Sequence, residues 1–179
     1  MGCCRARTPG AVRGDRLIPL PIRTERLEIR RWEDDEVEVL DGLLREPEVG
    51  RYLTLHGRTA AQMLDAYRAT ERTHGFSFWA VRERDEIVGE VGFGIHDESG
   101  APELGWALAP RAWGHGLAAE SARACIDALF EYTANDRAVA LVDTRNERSL
   151  RTAERIGMRR VGDVEHPVHP HVLFEVIRG

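Results

Sequence analysis

The chain contains no lysine: all 25 of its basic residues are arginine, set against 30 acidic residues for a formal net charge of −5. Such uniformity reads as a bias of composition rather than as a binding device. The mild negative charge excludes nucleic acid as the main partner, because neutralising phosphates takes a concentrated basic surface. It is compatible with a cationic acceptor. Cysteine is scarce, with three residues. Cys3 and Cys4 lie near the start and Cys125 in an apolar helical pattern, so there is neither a disulfide framework nor a metal-ligand spacing, and no metal is expected. Also missing is any run of about 18 apolar residues, the length that crosses a bilayer. The N-terminus has no apolar stretch of the secretory kind. These absences predict a cytoplasmic protein with no membrane partner. Met1-Gly2-Cys3-Cys4 has the look of an acylation signal, but Ala6 stands where myristoylation favours Ser or Thr.

What is present is enough for one domain with its own core. Residues 1–20, rich in Arg, Gly and Pro and without periodicity, read as a flexible leader, and residues 21–179 as a single domain. Leu27, Ile29 and Trp32 mark a first strand. Asp34 and Asp35 cap a helix carrying Val37, Leu40, Leu43 and Leu44, which Pro47 ends or bends. Thr59 to His74 reads as a second helix with Met63, Ala66 and Tyr67 on one side, stopped by Gly75. Phe76 to Val81 and Ile87 to Ile95 form a hairpin about Arg84-Asp85, and strict alternation puts Ile87, Val91, Phe93 and Ile95 on one face. Glu103 to Leu108 is a short strand in which Gly105 suggests a bulge. Gly116 to Tyr132 is a long helix with Ala118, Ala122, Cys125, Leu129 and Tyr132 at steps of four and three. Ala138 to Val142 is an apolar strand, Asn146 to Ile156 a last helix stopped by Gly157, and Val172 to Ile177 a closing strand. Strand, long helix and buried strand make a βαβ unit, so two strands run parallel. The class is α/β.

The informative segment is Arg111-Ala112-Trp113-Gly114-His115-Gly116-Leu117-Ala118, between a strand and the longest helix. Two glycines one residue apart let the backbone turn tightly and present successive N–H groups where the helix dipole adds positive potential. Phosphate binds in such places. Gly114, Gly116 and Arg111 suit a pyrophosphate lying against the main chain. The same stretch also satisfies the dinucleotide fingerprint, with Asp143 as a ribose ligand, but Pro110 to Trp113 intervene after the strand and Asp143 falls later than that pattern expects. A glycine-rich loop needed only for a tight turn is the plainest alternative.

With these residues in view, the chain resembles the GNAT N-acetyltransferase superfamily, whose pyrophosphate loop reads Arg/Gln-x-x-Gly-x-Gly/Ala. Thr24-Glu25-Arg26-Leu27-Glu28-Ile29-Arg30 resembles the opening strand of its ribosomal-protein N-terminal acetyltransferase (RimJ/RimL-like) branch. Glu103-Leu104-Gly105-Trp106, Asn146-x-x-Ser149 and Ile156-Gly157-Met158 are similar to that branch too, and the likeness runs over about residues 22–178. It implies a mixed central sheet with splayed parallel strands, acetyl-CoA as co-substrate, and an amine acceptor that is a protein N-terminus or a small molecule. Monomer and homodimer are both compatible.

The chemistry so implied asks for a base. An α-amino group near pKa ~8 is partly neutral at physiological pH, but a lysine-like amine near ~10.4 is only about 0.1% neutral. Glu103, preceding the strand that leads into the loop, is the candidate, with a solvated strand-edge carboxylate as the alternative. The resemblance places Trp106, Ala107 and Leu108 along the acyl and pantetheine portions, and Trp113, Gly114, His115, Gly116, Leu117 and Ala118 with Arg111 about the pyrophosphate. Asn146 caps its helix and, by the resemblance, also bonds the pantetheine arm. Many members carry a tyrosine before the last glycine; here Ala153 stands there. Ser149 is then left to donate to the leaving sulfur, or simply to satisfy the helix backbone. Glu103 and Ser149 favour an enzyme, while Ala153 leaves room for a coenzyme-binding sensor or scaffold without turnover. The acceptor side should be covered by 49–69, which offers Arg51, Tyr52, His56 and Arg58. His166, His169 and His171 alternate with proline and valine in a segment without defined ligand geometry.

Overall fold

A computed structural model describes residues 17–53, 57–165 and 169–179; Cys3, Cys4, His56 and His166 lie outside them. The strands are β1 (Ile22–Arg23), β2 (Leu27–Arg30), β3 (Phe78–Glu83), β4 (Glu86–Ile95), β5 (Pro102–Leu108), β6 (Arg137–Asp143), β7 (Arg159–Val164) and β8 (His171–Ile177). They form one sheet in the order β1-β2-β3-β4-β5-β6-β8-β7. Every neighbouring pair is antiparallel except β5 and β6. The helices are α1 (Val37–Arg45), α2 (Pro47–Gly50), α3 (Ala60–His74), α4 (Leu117–Tyr132) and α5 (Glu147–Arg155). No helix of the described residues is long and apolar enough to cross a membrane.

Two apolar clusters flank the sheet. The larger unites Ile29, Trp79, Val91, Phe93, Leu104 and Leu108 with Leu117, Cys125 and Leu129 of α4 and Ala153 of α5. The other packs Leu40 and Leu44 of α1 and Leu64 and Tyr67 of α3 on Trp32 and Ala80. Asp34 and Asp35 do not cap α1 as expected; they lie in a 3-10 turn before it, which Glu33 and Glu36 cap reciprocally. Thr59 and Gln62 make a reciprocal capping box at the start of α3, and Gly75, at φ 80, closes it with its N–H on Glu71 O. Pro47 follows the end of α1 at Arg45, as expected, and also opens α2, which was not.

Several expectations change on folding. Ile87 does not share a face with Val91 and Phe93. The β3–β4 register shifts between Val81 and Arg82, so that Val88 is the extra residue of a bulge. Val88 therefore joins the larger cluster, while Ile87 packs against the smaller one. Tyr132, in the expected stripe of α4, lies at the end of the helix and is 36% exposed. Strand β7 carries no alternation in its sequence Arg-Arg-Val-Gly-Asp-Val, because it is an edge strand with exposed charges, paired only to β8. The packed chain also reaches back into the expected leader: Ile18 is fully buried, and its N–H donates to Gly75 O at 2.9 Å.

Candidate active site

The site is built around the place where the sheet opens. Strands β5 and β6 meet at one register pair, Glu103 with Val139, and part beyond it. Which main-chain groups face the opening follows from the ladder on β5's other side. Ala109 N–H donates to Val88 O (2.8 Å) and His96 N–H to Ala101 O (2.9 Å). Hydrogen-bonded pairs alternate in an antiparallel ladder, so Glu103, Gly105 and Ala107 spend their main-chain groups on β4. Leu104, Trp106 and Leu108 turn theirs toward β6. Leu108 O is taken by Trp113 Nε1 at 2.7 Å. On the far side, Thr144 N–H to Pro170 O (3.1 Å) phases β6 against β8 and turns Leu141 and Asp143 toward the opening.

The bulge expected at Gly105 is absent, since β4 and β5 pair without interruption from Gly89–Leu108 to Ile95–Pro102. Glycine is required for space instead. A Cβ there would lie 2.9 and 3.0 Å from ring atoms of Phe78, which lies over β4 and β5. Trp106 packs with the larger cluster, on the opposite face from Glu103.

Glu103 is half-buried, at the narrow end of the opening. Burial, and then the charge of Asp97, push its carboxyl up to about 7. On the same face, four residues along β4 from Glu103's partner Gly94, lies Glu90, 4% exposed and also pushed up to about 7 by burial. Tyr67 Oη donates to its carboxylate oxygens at 3.0 and 3.2 Å. The sequence reading passed over Glu90; a carboxylate inside an apolar strand was the available signal.

At the other end of β5, a 3-10 turn over Pro110–Ala112 leads into α4. Gly114 and Gly116 stand at φ 82 and 78. A Cβ at Gly114 would meet nothing, so conformation rather than space demands glycine there. Gly116 caps α4, a helix of 16 residues whose first N–H groups open on the turn. Arg111 is exposed, with its guanidinium donating to Ile87 O at 2.7 Å and 3.5 Å from Glu86. Beside Gly116 stand guanidinium groups of Arg26 and Arg155, 3.9 and 3.8 Å from where a Cβ would be. Arg26 also donates to His115 O at 2.9 Å and pairs with Glu120, so the start of β2 braces the turn. Neither arginine was singled out from sequence, because only tertiary structure brings them to the loop.

The start of α5 borders the same opening. Asn146 Oδ1 accepts from Ser149 N–H at 3.1 Å, while the amide nitrogen and the Ser149 hydroxyl have no hydrogen-bond partner among the described residues. Arg148 covers the Trp113 ring at 4.1 Å. Asp143, the candidate ribose ligand, is held by Arg145 through two side-chain bonds (2.7 and 3.0 Å) and one main-chain bond (2.8 Å), which keep it at about 2. Ala153 is fully buried in the larger cluster. His171 Nδ1 lies 2.7 Å from His169 O.

Residues 26–159 match the acetyltransferase (GNAT) domain family. The uncharacterized protein YkkB of Bacillus subtilis (strain 168) is 32% identical over 160 residues, 85% of this chain and 92% of its own. A GNAT-family acetyltransferase structure from Bordetella pertussis is similar at TM-score 0.73 and 28% identity, covering 88% of this chain and 98% of that one. RimL, the ribosomal L7/L12 alpha-N-protein acetyltransferase solved with coenzyme A, shares the fold at TM-score 0.77 and 17% identity, over 88% and 97% of the two chains. A family match of that extent settles membership: this chain belongs to the GNAT family of acetyl-CoA-dependent N-acetyltransferases.

Proposed function

We propose that the protein moves acetyl from acetyl-CoA to a primary amine by direct attack within a ternary complex, with Glu103 as the base that deprotonates the acceptor. The observation that carries this reading is the parted β5–β6 pair with Glu103 at its narrow end. An extended arm rich in amides needs main-chain partners, and the N–H groups of Trp106 and Leu108 face the opening where such an arm would run. They also suit the negative charge that develops on a thioester oxygen under attack. Bound there, acetyl-CoA would supply the thioester carbonyl; the protein's part is to hold, orient and deprotonate.

The turn from Trp113 to Ala118 would take the pyrophosphate, using the first N–H groups of α4, with Arg155 and Arg111 as nearby cations. Asn146 would use its free amide nitrogen on the pantetheine arm while its oxygen caps α5. Ser149, whose hydroxyl is not spent on the helix, would donate to the departing sulfur. A carboxyl raised to about 7 is a better base than an ordinary glutamate and is still ionised in good part at physiological pH. As the acceptor class we propose a protein N-terminal α-amine or a small amine of like basicity, in keeping with the likeness to the RimJ/RimL-like branch.

The test pairs calorimetric titration of acetyl-CoA with a thiol-release assay over a panel of peptide N-termini and small amines. Binding together with amine-dependent release supports the reading, and a Glu103→Gln protein that works at the wild-type rate from pH 6 to 9 removes the base assignment.

A further inference from the structure

One buried titratable side chain has no place in the steps above. His96, 6% exposed, follows β4 in the turn to β5. Its N–H donates to Ala101 O at 2.9 Å, and its carbonyl accepts from Gly100 N–H at 2.8 Å. The ring is tethered on one side only: Nδ1 lies 2.8 Å from Ser99 Oγ, and Nε2 has no partner among the described residues. A histidine that is more than nine-tenths buried as a residue, with Nε2 left open to solvent rather than bonded to a neighbour, calls for a reason.

Its position supplies one. The bond to Ala101 continues the ladder phase that sets Gly94 opposite Glu103. With a period of two, His96 and Glu103 stand on one face of the sheet as diagonal neighbours, a spacing that long and aromatic side chains span. The residue between His96 and the rest of β4 on that face is Gly94, so no side chain intervenes along the strand. The other charged or titratable groups on this face are Asp97, which acts on Glu103 directly, Arg137 and Glu175 on β6 and β8, paired with each other at 2.7 Å, and, farther along, Glu90 with Tyr67.

We propose that His96 is a positioning residue that acts through Glu103, receiving the proton Glu103 takes from the acceptor and returning it to solvent at the exposed Asp97–Gly100 turn. The inference rests on Glu103 being the base. An ammonium acceptor gives up two protons as the N–C bond forms and the C–S bond breaks; one ends on the leaving sulfur, and the other leaves on Glu103. No electron is gained or lost. Glu103 must be emptied before the next turnover, and Nε2 of a neutral imidazole accepts that proton.

His96→Ala should lower kcat about tenfold or more with KM for acetyl-CoA unchanged, and added imidazole should restore part of the rate. His96→Asn, which keeps a polar group toward Ser99, should be as slow with an unaltered melting temperature. In a Glu103→Gln background, His96→Ala should cost nothing further. An active, Glu103-dependent enzyme that is indifferent to both His96 variants overturns the relay alone. So does a loss that imidazole does not relieve and that adds fully to Glu103→Gln. A wild-type protein that acetylates no amine, or one indifferent to Glu103→Gln, overturns the base and the relay together, and is recognised without any His96 variant.

Discussion

Two glutamates on one face of the sheet, Glu90 and Glu103, are pushed to the same value of about 7, yet their surroundings differ. Glu90 is sealed beneath α3, with Tyr67 on its carboxylate. Glu103 is half-buried at the narrow end of the β5–β6 opening, with Asp97 acting on it. Burial alone raises a carboxyl, so the raised value does not distinguish a base from a structural group. Access to a reacting atom does. Proton affinity here is thus a property of the covered face, and the role proposed for Glu103 rests on the opening beside it rather than on its raised value.

The sharpest way to break this contrast is to neutralise each carboxylate in turn. Glu103→Gln should lower kcat/KM by about 10²–10⁴-fold, the usual worth of a positioned base. Glu90→Gln should leave the acetylation rate near wild type in the same steady-state assay. The pH profile should separate them as well. As the proposed base, Glu103 would work ionised, so kcat/KM should fall as pH drops through about 7, and Glu90→Gln should leave that limb in place.

A second contrast lies in stability. Glu90 has its carboxyl raised from 4.5 to about 7 in the folded chain, so between those values the folded state keeps a proton that the unfolded chain has released. Its contribution is fully present below about 4.5 and is lost as pH rises toward 7. Glu90→Gln stays neutral throughout, so denaturant titrations should show the variant gaining about 3 kcal/mol on wild type between pH 4 and pH 8. Equal pH slopes would mean that the site relaxes or admits water.

Smaller effects are expected at the coenzyme end. Gly116→Val forces a β-branched residue to φ 78, a strain of about 1–3 kcal/mol. It should raise KM for acetyl-CoA about tenfold or more while the acceptor's KM stays put. Ser149→Ala should cost about tenfold or less in kcat, since a serine hydroxyl is a weak acid. A loss beyond about a thousandfold would show that it carries the leaving thiolate's proton by itself.

The turn proposed for the coenzyme was legible from sequence as a structure because it is local. Two glycines one residue apart, a proline before them and a long apolar-striped helix after them lie within one stretch of chain, and each has a backbone reason. The buried groups of the sheet's other face were not. Tyr67 meets Glu90 from a helix and a strand, and no short window of sequence reveals the burial of Glu90 or of His96. Gly105 shows the same limit: a glycine in a strand was read as a bulge, and it is the Phe78 ring, 27 residues earlier in the chain, that requires it. Ile87 shows it too, since one inserted residue at Val88 reverses its face. Arg26 and Arg155 reach Gly116 from opposite ends of the domain.

By itself, then, the sequence determined most of the strands and helices, though not β1, α2 or β7, together with the parallel βαβ crossover and the turn that opens α4, because periodicity, capping and positive φ are written within a few neighbouring residues. Tertiary structure decided where the sheet parts, which main-chain groups are left facing the opening, and which carboxylates are stripped of water. Those depend on register and on contacts between residues far apart in the chain, and a hydrogen bond left unmade between β5 and β6 has no signature in either strand alone.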